Sequence, residues 1–126
     1  MTYFKRDHLK EFSEGKFGED APELWKKFLN YYSSVMDEGE LSTREKALIA
    51  FGVAHAEGCP YCIEAYTTKL LEEGCDQDQL AEAIHVASAM KAGMTIAMGL
   101  QSKELSDKLT NSVSYTHLTL PTTPYV

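Results

Sequence analysis

The stretch EGCPYCIEAY, residues 57–66, sets Cys59 and Cys62 three positions apart with a proline between them. Two thiols at this spacing can form a redox-active disulfide, supply half of a metal site, or fill a core as small apolar side chains. Pro60 suits the first turn of a helix, which makes Cys59 the cap and places Cys62 in the first turn. There the free amides and the positive end of the helix dipole are expected to favour a thiolate on Cys62. Residues three apart on a helix share a face, so Cys59 can reach back to resolve a sulfenic acid or mixed disulfide on Cys62. Redox exchange is the leading expectation for the pair.

Such chemistry also needs groups that take and return a proton. Tyr66 falls one turn after Cys62 on the same face, His55 ends the preceding apolar segment, and His85 lies on a later apolar helix expected to pack nearby. Each histidine also has a plainer reading as a hydrogen-bonded core residue, and Glu57 and Glu64 read as solvated carboxylates. Zinc could in principle draw on Cys59, Cys62, Cys75 and His85. A helix over 60–73, rising ~1.5 Å per residue, would hold Cys75 roughly 20 Å from Cys59 and prevent a shared ion. Cys75 then reads as a small, partly buried loop residue, and neither metal nor cofactor is expected.

The elements that position these residues read as helices throughout. A short helix is expected over Arg6 to Phe12, followed by the glycine-bearing loop EGKFGED. Asp20 is placed to cap the next helix, with Pro22 in its first turn. Trp25, Phe28, Leu29, Tyr32, Val35 and Met36 recur on it at helical spacing, a wide apolar face expected to pack in the core. In LSTREKALIAFGVAHAEG, Ser42 and Glu45 form a capping box, and the run from Ala47 to Ala56 suggests a central helix buried on most sides. The helix opened by Pro60 should run to about Glu73, with Gly74 as its terminal cap and Cys62, Ile63, Tyr66 and Leu70 on its inner face. Asp76 and Gln79 make a second box ahead of QDQLAEAIHVASAMKAGMTIAMGL, where Gly93 could mark a kink or tight crossing. SKELSDKL is read as the start of a truncated last helix. The expected fold class is all-α, a single helical domain over residues 1–112 with C-x-x-C at a helix N-terminus.

At 126 residues the chain suits one small domain that oligomerisation would help to stabilise. Apolar residues at 44% and charged residues at 25% describe a globular protein rather than a disordered one. A net charge of −7 without a basic stripe argues against nucleic-acid or anionic-membrane partners. The amino terminus lacks the apolar stretch of a signal peptide, and the longest apolar run is interrupted by His85 and Lys91, so a cytoplasmic location is expected. Three cysteines are too few for a disulfide scaffold.

Residues 113–126, VSYTHLTLPTTPYV, carry no charged side chain and alternate threonine with apolar residues. Residues 113–122 resemble a translated sequencing adapter, which implies a non-native tail and a natural terminus near Asn111. A genuine edge strand is the alternative.

The C-x-x-C between two apolar helices resembles the alkylhydroperoxidase D-like branch of the carboxymuconolactone decarboxylase family, over most of residues 24–105. The wording REKALIAFGVAHAEGCPYCIEAYTTKLLEEG, followed by AEAIHVASAMKAG, is similar to a peroxidase-like subgroup associated with arsenosugar biosynthesis. The resemblance implies an all-α fold and assembly as a homo-oligomer, a trimer or hexamer. It implies that Cys62 takes the oxygen of a peroxide, that Cys59 resolves it, and that a dithiol protein or lipoyl group supplies the electrons. In the better-known peroxidases a glutamate twelve residues before the first cysteine and a histidine four after the second form a proton relay. Those positions are Ala47 and Tyr66 here, and Tyr61 replaces a further histidine. Tyr66 with His55 or His85 is the expected substitute.

Three functions fit these residues: a thiol oxidoreductase that reduces a peroxide or exchanges disulfides, a lactone decarboxylase of the kind that names the family, and a non-catalytic oligomeric scaffold. Lactone decarboxylation does not call for a vicinal cysteine pair.

Overall fold

The computed structural model describes residues 5–111; the proposed tail, residues 113–126, lies outside them. Five α-helices occur in the order α1 (Arg6–Ser13), α2 (Pro22–Met36), α3 (Thr43–Glu57), α4 (Pro60–Glu72) and α5 (Gln77–Thr110), with a 3-10 turn at Lys16–Asp20 between α1 and α2. No strand occurs among the described residues, and the expected all-α class holds. The chain divides into two units, one through Ala89 and one from Met90.

In the first unit, local chemistry sets the helix ends. The Ser42 hydroxyl accepts the Glu45 amide at 3.0 Å while the Glu45 carboxylate accepts the Ser42 amide at 2.8 Å. These backbone and side-chain bonds to Ser42 hold the Glu45 carboxyl below its usual range. Asp76 and Gln79 repeat the device at the start of α5, at 2.9 and 3.0 Å. Both satisfy amides that a helix start leaves without partners. Asp20 does not cap α2. It belongs to the 3-10 turn, the cap position falls to Ala21 without a side-chain bond, and Pro22 occupies the first turn. That turn is fixed by close packing: a Cβ on Gly18 would lie 2.2 Å from the Trp25 ring, so only glycine admits the indole there.

The core of this unit is small. Ala47 and Phe51 of α3, Leu70 of α4, Cys75 of the loop and Leu80 of α5 are buried together, with Leu48, Tyr66 and Ala83 packed against them. Thus α3 and α4 form a helical hairpin whose open end is closed by the first turns of α5. The helix α3 is buried on one side only, because Ile49 and Val53 are each 56% exposed. The apolar face of α2 was also expected inside, yet no α2 residue is fully buried. Its aromatic rings instead contact each other in sequence, Trp25 to Phe28 at 5.5 Å and Phe28 to Tyr32 at 5.7 Å, with Phe12 of α1 edge-on to Trp25 at 5.0 Å.

The second unit contains the rest of α5. The segment SKELSDKL does not begin a separate helix; it continues α5, which runs for 34 residues. The ion pairs Lys103–Asp107 and Lys108–Glu104, one turn apart, support that continuation. Met90, Met94, Ile96, Met98, Leu100 and Leu105 are all more than half exposed. By length and composition alone α5 is also apolar enough to cross a bilayer, a test that the core helices of soluble proteins pass too.

Candidate functional site

The cysteines sit where two helices meet. Gly58 adopts a left-handed conformation, φ 71°, and ends α3. This turn directs the Cys59 amide onto the Ala54 carbonyl at 2.9 Å, the backbone signature of a glycine-terminated helix. Cys59 then caps α4: its carbonyl accepts the Ile63 amide at 2.9 Å, and its sulfur accepts the Cys62 amide at 3.3 Å. Both thiols are half-buried and reduced, and Cys75 is a buried thiol in the core.

The electrostatics reverse one expectation. Burial pushes the Cys62 thiol up to about 11, reinforced by a hydrogen bond with the Cys59 side chain and by the charge of that sulfur; its own backbone amide works weakly the other way. The helix-start amide of Cys62 also bonds to the Cys59 sulfur, and desolvation outweighs its lowering effect on Cys62.

Tyr66 lies one turn on from Cys62, as the spacing implies, and packs against the core. Its hydroxyl is hydrogen-bonded to that of Tyr32 on α2. Burial, followed by the bond to Tyr32 and by the Tyr32 and Cys62 charges, raises its phenol well above the usual range. Tyr66 therefore keeps its proton near neutral pH and is not a base there.

The histidines stand differently. His55 Nδ1 lies 2.8 Å from the Phe51 carbonyl, and its ring packs against that of Phe51 at a 55° tilt, centroids 4.3 Å apart. Because a carbonyl only accepts, Nδ1 carries the proton, which leaves Nε2 with a lone pair in the neutral ring. His85 is exposed on α5, and among the described residues neither histidine has a hydrogen bond to a site sulfur. Glu57 is exposed, whereas one Glu64 oxygen pairs with Arg6 at 3.2 Å and the other is buried without a hydrogen-bond partner.

Two contacts have no local signal in the sequence. Tyr32 is read from its spacing only as an apolar-face residue. His8 of α1 meets the Tyr61 hydroxyl at 2.6 Å, so α1 is fastened to α4 through Tyr61 and Glu64. Those two residues are three apart, on the side of α4 turned away from Cys62 and Tyr66.

With this geometry in place, similarity to known proteins decides the family. The profile of the carboxymuconolactone decarboxylase family matches residues 22–101, a span that includes α2, α3, α4 and both cysteines. The chain belongs to that family. A relative from Paracoccus denitrificans, protein 4 of the cox locus, is 38% identical over 82 residues, covering 65% of this chain and 74% of the relative. A crystal structure from Methanobacterium thermoautotrophicum superposes with a TM-score of 0.64 at 34% identity, covering 68% of this chain and 96% of that one. A carboxymuconolactone decarboxylase family protein of Legionella pneumophila, in its apo form, gives a TM-score of 0.57 at 29% identity over 67% and 78% of the two chains.

Proposed function

We propose that the protein is a thiol-dependent oxidoreductase in which Cys59 and Cys62 pass two electrons to a peroxide or a disulfide and become a disulfide themselves. The observation that carries this reading is the direct bond between the Cys62 amide and the Cys59 sulfur at the start of α4. It brings the backbone of one half-buried cysteine to the sulfur of the other within one helical turn, which supports a disulfide between them. Tyr66 is the proposed donor to the leaving oxygen of a peroxide, whereas a leaving thiolate needs no proton from it. His55, whose Nε2 keeps a lone pair, is the histidine proposed to accept a proton; exposed His85 would act only through solvent. The reductant is proposed to be a dithiol protein or a lipoyl group. A cytoplasmic location and a link to arsenosugar biosynthesis are proposed on sequence resemblance alone.

Lactone decarboxylation remains the family's namesake alternative, but it leaves the cysteine pair without a task. The exposed apolar residues of α5 support a homo-oligomer, which is also the one feature a non-catalytic scaffold would share.

Treating the reduced protein with one equivalent of hydrogen peroxide, or of an organic disulfide, separates these readings. Loss of two thiols and a mass change of two hydrogens, reversed by a dithiol, is the expected result. A protein that keeps all its thiols under both oxidants is not an oxidoreductase of this kind.

A further inference from the structure

We infer that Cys59, the cap residue of α4, is the sulfur that attacks the oxidant, and that Cys62 closes the disulfide. This order is the reverse of the one implied by family resemblance, and it rests on reading the pair as a redox centre. The argument follows the donors at the start of α4. Pro60 has no amide hydrogen. The Cys59 amide, which a third-position side chain could otherwise use, is bound to the Ala54 carbonyl at 2.9 Å. The Cys62 amide points to Cys59 Sγ at 3.3 Å. The Cys59 sulfur is thus the cap acceptor of α4, where charge on it would face the positive end of the helix. The Cys62 side chain adds a further hydrogen bond to Cys59, while burial keeps Cys62 protonated.

The chemistry balances in two steps. With a hydroperoxide, the Cys59 thiolate forms an S–O bond as the O–O bond breaks; Cys59 becomes a sulfenic acid, and the leaving alkoxide or hydroxide takes a proton from Tyr66 or solvent. Cys62 then gives up its thiol proton, bonds to the Cys59 sulfur and expels water. With a disulfide, the first step makes a mixed disulfide on Cys59 and releases one thiolate, and the second releases the other. In either case the pair loses two electrons and the oxidant gains them.

The order is tested on the wild-type protein with substoichiometric iodoacetamide at pH 7, followed by fragmentation of the peptide that holds both cysteines. Carbamidomethylation of Cys59 should exceed that of Cys62 by at least about tenfold, since a thiol near 11 is ionised in only about one molecule in ten thousand at that pH. In parallel, Cys62→Ser should react rapidly with 5,5′-dithiobis(2-nitrobenzoate) and accumulate sulfenic acid under peroxide, whereas Cys59→Ser should do neither. Circular dichroism checks that both variants keep their helices. If the wild type forms the Cys59–Cys62 disulfide but the label falls mainly on Cys62, the proposed order is wrong and the redox reading stands. If neither cysteine reacts with any reagent, both fail together.

Discussion

Tyr32 and Tyr66, 34 positions apart, meet hydroxyl to hydroxyl across α2 and α4. The contact gives Tyr66 a fixed orientation one turn from Cys62 and connects it to a side chain that is 38% exposed. Tyr66→Phe removes the proposed proton donor and should lower peroxide turnover by roughly 100-fold. The alkylation rate of the attacking thiol should stay within about twofold, because the Tyr66 hydroxyl is bonded to Tyr32. Tyr32→Phe should produce a smaller loss and move the alkaline limb of the pH profile. Equal turnover in all three proteins would remove the hydroxyl pair from the mechanism.

Stability should fall in alkali through the same groups. Cys62 is raised from 9.0 to about 11 on folding, so the unfolded chain releases its proton first as pH rises. The contribution is intact below about 9 and is lost as pH approaches 11; Tyr66, raised above 10.0, acts in the same direction at higher pH. Melting temperatures measured between pH 8 and 10.5 should decline less steeply for Cys62→Ser than for wild type. A steeper decline in the variant would contradict the assigned shift.

Gly18→Ala tests the packing that sets the entry to α2. The new methyl group would overlap Trp25, and the variant should lose about 1–3 kcal/mol in urea unfolding, accompanied by a change in tryptophan fluorescence. An unchanged midpoint would mean that the indole moves aside freely.

The apolar residues of α5 should be covered in solution. Light scattering should give a mass several times 14.1 kDa, and Ile96→Glu, at a position 76% exposed, should reduce it. A wild-type protein that scatters as a single chain would end the proposal of a homo-oligomer.

The sequence made some of this legible and not the rest, for physical reasons. Both capping boxes follow from side chains bonding to amides three residues away, so spacing alone reveals them. Pro60 likewise marks the start of α4 and the capping role of Cys59. The apolar stripe of α2 is correct as a pattern, but periodicity does not say what a stripe packs against, and in this chain no α2 residue is fully buried. The misassigned roles of Asp20 and SKELSDKL are boundary errors, where a 3-10 turn and an uninterrupted helix left no strong local mark. The raised Cys62 thiol depends on how far folding removes it from water. That desolvation, like the left-handed turn at Gly58 that sets Cys59 at the start of α4, lies beyond a count of spacings.

The backbone of Cys59 is held on both sides, its amide by α3 and its carbonyl by α4. A bond between the two sulfurs therefore requires rotation of side chains and leaves the helical hairpin where it is. Oxidised and reduced protein should present nearly the same outline to other molecules. The proposed reductant would then have to identify its target by touching the sulfurs, with no change of shape to announce which form it has met.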